Sequence, residues 1–433
     1  MSGTAQGLTG FALVILLIFL RVPVAIAMGV VGALGYGLIN GWPSLAFVMG
    51  RAPFESVFPV GLSVVPLFVM MGVFSAHAGL SRSLYGFVAA FVGHLRGGLA
   101  LATIGASAIF GAICGSSIAT AATIGKIALP EMRRHGYDDR LASASVAAGG
   151  TLGVMIPPSI LFVVYGLMTE NSIGKLFASG VLPGILGMLL YMGAVAWMTG
   201  RDSRLGAAGE RSSWSRRLSL LLQVWQVAAL FGVVLGGMNF GWFSPTEAAA
   251  VGAFGAVLLS ALGGHLDRAS VVAGLLETAH TTAMIFMILI GATLFNYFID
   301  ATGFTQGLIG QVRDLGLGRY WILALVCLFY IVLGCLMDSL SMILLTISAV
   351  YPLMTSLGFD PVWFGVMLVT LGEIGMITPP VGMNLFVLQS VSPGLRLETV
   401  SRGILPFVAA DGVRLLLLTL FPVIATWLPS QMR

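Results

Sequence analysis

Long windows of this chain carry no charge at all. Ala12 to Leu20, Val22 to Val48, Leu141 to Met168, Leu218 to Thr246 and Tyr320 to Met337 contain no Asp, Glu, Lys or Arg. Apolar stretches near twenty residues match the hydrocarbon thickness of a bilayer, where only a helix or a closed barrel satisfies the backbone. The strict alternation of a barrel strand is missing, so the pattern predicts helices and an all-α polytopic membrane protein. The first half is expected to have spans near 8–20, 22–39 and 57–78 and an amphipathic stretch at 81–96. A re-entrant hairpin at about 99–130, a broken span at about 142–168 and a closing span at 176–198 follow. The second half is expected to have spans near 218–238, 245–263 and 271–298, an interfacial stretch at 304–317, a hairpin at about 320–351, a broken span at about 361–390 and a closing span at 403–428.

Glycine and proline positions repeat along the chain. Pro130, Gly136, Asp138, Gly150, Gly153, Pro157 and Pro158 recur as Pro352, Gly358, Asp360, Gly372, Gly375, Pro379 and Pro380, each 222 residues later, and Pro23 pairs with Pro245 at the same offset. Gly and Pro constrain the backbone, so this is a repeat of shape. The loop EMRRHGYDDR holds Arg133, Arg134 and Arg140, whereas its counterpart LMTSLGFDPV has no Lys or Arg. Cytoplasmic loops are enriched in Lys and Arg, which puts the first loop inside and the second outside. The join at 201–217 holds five Arg against Asp202 and Glu210 and is expected in the cytoplasm. Residues 1–200 and 218–433 therefore read as two inverted-topology repeats, an arrangement of secondary transporters whose sites lie at the repeat interface near the bilayer midplane.

Composition narrows the class further. AVILMFWYC make up 58% of the 433 residues and charged residues 9%, against roughly a quarter charged in soluble domains. The net charge of +4 is spread between apolar windows, with no basic stripe to suggest nucleic acid. Cys114, Cys327 and Cys335 lie in apolar stretches without metal-ligand spacing and read as small buried hydrophobes. No Lys or Arg precedes the first apolar segment, so it is taken as a retained span rather than a signal peptide.

Four constellations could carry chemistry. In GAICGSSIATAATIGK, the apolar arms on either side of Gly115-Ser116-Ser117 are too short to cross a bilayer comfortably. A hairpin with a polar tip at mid-membrane explains this, and a continuous span whose hydroxyls bond back to the helix is the alternative. In AAGGTLGVMIPPSI, Gly149, Gly150 and Gly153 precede Pro157-Pro158, and LGEIGMITPPVGMN repeats the device. Carbonyls freed at Gly149 to Met155 are hard-oxygen ligands for Na⁺, unless the Pro pairs are kinks alone. Asp338 in CLMDSLSMILL and Glu373 are acids inside apolar windows, functional candidates by default, with a structural hydrogen-bonding role as the alternative. Lys126 reads as snorkelling toward the cytoplasm. In SPTEAAAVGA, Ser244, Pro245 and Glu247 form a capping box. No GxxxxGK[ST], His-Glu-x-x-His or Gly-x-Ser-x-Gly occurs, so neither ATP drive nor an intramembrane hydrolase has a motif.

At GSSIATAATIGKIALPEMRRHGYD, AAGGTLGVMIPPSI, SPTEAAAVGA and LGEIGMITPPVGMNLFV the chain resembles the large membrane subunit of tripartite ATP-independent periplasmic (TRAP) transporters, from about Arg21 to Pro406. The resemblance implies an elevator-type importer with Na⁺ as coupling ion, taking organic acids such as C4-dicarboxylates or sialic acid. It also implies a small four-helix membrane subunit, here expected as a separate chain, and a periplasmic substrate-binding protein. By the same resemblance Ser116, Ser117, Gly149, Gly150, Thr151 and Gly153 would surround one Na⁺, and Asp338, Ser339, Gly372, Glu373, Gly375 and Thr378 a second. Pro157, Pro158, Ser159, Pro379, Pro380 and Asn384 would line the substrate space. A self-sufficient sodium/dicarboxylate symporter-like carrier is the alternative, and a membrane enzyme has no catalytic constellation to support it.

Overall fold

Helices fill the expected windows, and Gly, Pro and short polar residues set their ends. The computed structural model describes residues 2–264 and 266–432, and no strand occurs among them. The first half contains α1 (Gly3–Phe19), α2 (Val24–Asn40), α3 (Trp42–Val57), α4 (Val64–His77), α5 (Leu80–Val92), α6 (Gly98–Cys114), α7 (Ser117–Arg134), α8 (Asp139–Met155), α9 (Ile160–Thr169) and α10 (Ile173–Arg201). The second contains α11 (Trp214–Gln223), α12 (Trp225–Phe231), α13 (Gly237–Asn239, after a π-helical turn at Gly232–Gly236), α14 (Pro245–Leu262), α15 (Arg268–Thr302) and α16 (Phe304–Asp314). It ends with α17 (Arg319–Gly334), α18 (Ser339–Ser356), α19 (Pro361–Ile377), α20 (Met383–Val391), α21 (Leu397–Leu420) and α22 (Val423–Ser430).

Among the described residues six helices are long and apolar enough to cross a membrane, and up to eight if each of two bent helix pairs is one span. Helix bounds recur along the chain: α7 and α18 start at Ser117 and Ser339, and α8 and α19 end at Met155 and Ile377, in each case 222 residues apart. Asp138 and Asp360, which share that offset, each cap a helix by accepting a backbone N–H, from Arg140 and Trp363 at 2.8 Å.

Four departures from the expected spans have local causes. Residues 42–57, where the apolar pattern predicts no span, form α3, because Arg51, Pro53 and Glu55 interrupt the pattern without ending the helix. Its continuation is broken at Phe58-Pro59, whereas α15 runs 35 residues unbroken. The span expected near 218–238 is bent by 48°. Its first part, α11, carries Arg216 and Arg217 and is amphipathic, with Trp214, Leu218 and Leu222 exposed; charge keeps such a helix at the interface. The closing span at 403–428 is interrupted between α21 and α22 at Pro422.

α8 and α19 form the centre. Every residue from Leu141 to Met155 and from Trp363 to Ile377 is buried, as expected for helices apolar or small all round. α6 and α7 pack on α8, α17 and α18 on α19, and α10 and α21 lie against both α8 and α19.

Candidate functional site

Both hairpins fold as two helices joined at a polar tip. α6 ends in Gly115, at φ 63°, a left-handed conformation that glycine adopts without strain. Ser116 is then extended and caps α7, its Oγ accepting from Ala119 N at 3.3 Å. The second tip lies between α17 and α18, and its cap is Asp338. Oδ1 of Asp338 accepts from Leu340 N and Ser341 N, both at 3.0 Å, and Oδ2 accepts from Ser341 Oγ at 2.5 Å. These bonds make Asp338 the cap of α18, and a carboxylate has about four acceptor sites, one more than they use.

The glycines of α8 and α19 let backbone approach backbone. A Cβ on Gly153 would lie 2.5 Å from Gly111 Cα, and one on Gly375 2.5 Å from Gly334 Cα. A Cβ on Gly150 would fall 2.8 Å from Ala121 Cβ, and one on Gly372 2.7 Å from Ser339 Oγ. Gly149 meets Ser107 Oγ in the same way, at 2.8 Å. These glycines therefore seat each broken helix on its hairpin.

The breaks follow. Pro157-Pro158 separates α8 from α9, a pair bent by 40°, and Pro379-Pro380 separates α19 from α20; both Pro–Pro bonds are cis. The Pro158 carbonyl oxygen lies 3.3 Å from the position a Gly115 Cβ would take, so first tip and first break adjoin. Asn384 brings in the other half: its Nδ2 donates to Ser117 Oγ at 2.8 Å and to Ala147 O at 3.1 Å. Asn384 is fully buried and its Oδ1 has no partner. Ser159 Oγ and Ser339 Oγ, also buried, have none either. The α19 end is more open, with Thr378 and Pro379 half-buried and Pro380 exposed, and Thr378 Oγ1 donates back to Ile374 O at 2.6 Å.

Two candidates also reach a buried charged cluster. Glu373 Oε2 accepts from Arg414 Nη2 at 2.6 Å, and that same Nη2 lies 2.9 Å from Asp411 Oδ1. Tyr191 OH donates to Asp411 Oδ2 at 2.6 Å and is 3.2 Å from Thr151 Oγ1, which donates to Ala148 O at 2.7 Å. Thr151 and Glu373, expected as ligands of two separate ions, both belong to one fully buried cluster on α8, α10, α19 and α21, in which Glu373 Oε1 has no partner. The physical reason is Arg414: a buried guanidinium needs carboxylates, and α21 presents it to Glu373. Asp411 and Arg414 escaped notice although they are charges within the expected span 403–428, a visible signal.

The remaining motif residues are placed simply. Ser244 Oγ accepts from Glu247 N at 3.3 Å and Glu247 Oε2 accepts from Ser244 N at 2.8 Å, a complete capping box. Lys126 is exposed on α7 and lines a cavity with other basic side chains.

Comparison with known proteins places this architecture. The family model described as "Tripartite ATP-independent periplasmic transporter, DctM component" matches residues 11–424. The C4-dicarboxylate TRAP transporter large permease protein DctM of Pseudomonas aeruginosa is 36% identical, over 93% of this chain and 94% of that protein. The isethionate TRAP transporter permease protein DctMQ of Oleidesulfovibrio alaskensis is 34% identical over 94% of this chain, which spans 64% of that longer protein. Among solved structures, the Alcanivorax borkumensis YdaH transporter superposes with a TM-score of 0.61 at 15% identity, covering 96% of this chain and 99% of that one, a likeness of fold. With its apolar spans, helix-only fold and near-complete match, the chain belongs to the TRAP transporter large permease family and is a multi-pass protein of the bacterial inner membrane.

Proposed function

We propose that the junction of hairpin tips and helix breaks holds the coupling-ion and substrate sites of a Na⁺-driven importer of organic acids of the C4-dicarboxylate or sialic-acid type. The carrying observation is that Ser159 Oγ, Ser339 Oγ and Asn384 Oδ1 are buried beside the hairpin tips and breaks without partners. A buried polar atom left unsatisfied costs about 1–3 kcal/mol, a cost removed when a ligand binds. All are oxygens, the donor type that suits a hard cation such as Na⁺. One ion would sit among Ser116, Ser117, Gly149, Gly150 and Gly153, and a second among Asp338, Ser339, Gly372, Gly375 and Thr378. Pro157, Pro158, Ser159, Pro379, Pro380 and Asn384 would face the substrate, where half-helix ends can meet an anion. Thr151 would join the first set and Glu373 the second, since Glu373 Oε1 is buried without a partner while Oε2 takes Arg414.

In this reading residues 1–200 and 218–433 are inverted repeats joined by a cytoplasmic segment at 201–217, and the hairpins with their broken helices move as one body in an elevator step. The small four-helix membrane subunit, as a separate chain, and a periplasmic binding protein complete the transporter; the P. aeruginosa relative, named for C4-dicarboxylate, supports the substrate class. The test is uptake into proteoliposomes with a TRAP binding protein and a TRAP small membrane subunit added to this chain. An inward Na⁺ gradient should drive accumulation only when all three proteins are present. Accumulation by this chain alone would replace the tripartite reading with a self-sufficient carrier, and accumulation unchanged without the gradient would remove Na⁺ coupling.

A further inference from the structure

Outside this junction, a cavity of about 970 Å³ opens between α5, α7 and the 207–216 segment. Arg82, Lys126, Arg134, Arg211 and Arg216 line it, against only two acids, Glu131 and Glu210. Arg134 and His135 share Glu131, at 3.4 and 3.6 Å. Arg82, Lys126, Arg211 and Arg216 enter no ion pair among the described residues, and Glu210 none either. Four unpaired cations around one cavity repel one another, and an anion between them would relieve that repulsion.

The wall closing this cavity is built rather than loose. Gly97 N donates to Gly206 O at 3.2 Å, Asp138 N to Leu205 O at 3.1 Å, Gly209 N to Gly93 O at 3.0 Å, and Tyr137 OH to Ala207 O at 2.8 Å. The segment between the halves is thereby tied to the loops before α6 and α8. Arg217 donates to Ala90 O at 3.0 Å and stacks on Trp214 at 4.9 Å, which fixes the start of α11 against α5.

Depth comes from two observations. α11 exposes Trp214, Leu218, Leu221 and Leu222 on one side with Arg216 and Arg217 at its start, the composition of a helix lying in the membrane interface. Lys126 lies nine residues from the hairpin start at Ser117, about 13 Å along a helix. With the tip at mid-membrane, as proposed above, that puts Lys126 near the edge of a hydrocarbon half roughly 15 Å thick. We propose that this cavity binds a phosphate-bearing anion, and specifically the headgroup of an anionic phospholipid from the inner leaflet. Basic pockets at the cytoplasmic membrane face suit such headgroups. Its position against α7 makes the lipid a brace for the cytoplasmic end of the first hairpin.

The experiment compares the purified chain in vesicles of phosphatidylcholine alone and with phosphatidylglycerol added, reading thermal unfolding, and counts retained lipid by native mass spectrometry. Phosphatidylglycerol should raise the unfolding temperature and appear as a retained adduct. Arg82→Gln/Lys126→Gln/Arg216→Gln should unfold as the parent does in phosphatidylcholine, with lipid affinity falling about fivefold per removed charge. The exposed single change Arg216→Gln gives the same reading with one step. No increment from phosphatidylglycerol, or an increment kept by the variants, overturns the proposal. Inorganic phosphate reproducing the increment in phosphatidylcholine vesicles overturns the lipid source. Because the readout is lipid binding, its failure is separate from any failure of Na⁺ coupling.

Discussion

The two hairpin-and-break junctions have matched backbones and unlike chemistry. α7 and α18 start at positions 222 residues apart, α8 and α19 end so, and each break is a Pro pair. At the first junction Ser117 accepts a hydrogen bond from Asn384, and Pro157, Pro158 and Ser159 are buried. At the second, Ser339 has no partner and Pro380 is exposed. Thr151 and Glu373, again 222 apart, both turn toward the Arg414 cluster, one as a neutral hydroxyl and the other as a charge. Glycine and proline positions thus recur at one offset, while the polar side chains around them differ between the two junctions.

The largest break in this arrangement should come from Arg414→Met, which leaves Glu373 and Asp411 buried without their cation. Removing one partner of a buried ion pair costs about 3–5 kcal/mol, so the variant should lose most of its monodisperse protein in size-exclusion chromatography. Adding Glu373→Gln and Asp411→Asn should recover much of it, since an uncharged set needs no cation. Full yield from Arg414→Met alone would mean that the cluster holds nothing together.

Glu373→Thr sharpens the comparison by giving the second copy the first copy's residue. Arg414 keeps Asp411, so the loss should be smaller, about 1.5–3 kcal/mol for a charged hydrogen bond, read as a lower unfolding temperature. With the unpartnered Oε1 gone, the Na⁺ concentration for half-maximal transport should rise. An unchanged concentration would take Glu373 out of the ion site.

Where the copies agree, so should the mutations. Gly153→Ala and Gly375→Ala each drive a Cβ to 2.5 Å from a glycine Cα, and overpacking of this kind costs about 1–3 kcal/mol. Closely matched drops in unfolding temperature are expected. A drop at one position alone would show that only one copy is tightly seated.

Much of this arrangement was legible in the sequence because backbone devices are written in residue type. Pro157-Pro158, Gly115 and the Ser244–Glu247 box constrain φ or cap a helix locally, and each stands where it was expected. Tertiary partners are another matter. Nothing near Glu373 in sequence announces Arg414, 41 residues on, and nothing near Ser117 announces Asn384, 267 residues away. The unexpected α3 and the bend after α11 have the same origin: charged or proline residues interrupt the apolar run, and only packing decides whether the helix continues.

The smallest effect separates the two serines. Ser117→Ala removes one of the two acceptors of Asn384 Nδ2, a hydrogen bond whose net contribution is about 0.5–1.5 kcal/mol. Ser339→Ala removes a hydroxyl that bonds to nothing in the protein, so its unfolding temperature without Na⁺ should match the parent's or exceed it. If Ser339 Oγ completes an ion site, the penalty for losing it appears only when Na⁺ is present, as a smaller stabilisation by the ion. The measurement is therefore a pair of melting curves for each variant, with Na⁺ and with a large organic cation in its place. Ser117→Ala should be destabilised in both, and Ser339→Ala only in Na⁺. Equal Na⁺ stabilisation of Ser339→Ala and the parent would take Ser339 out of the ion site and leave its buried hydroxyl without an account.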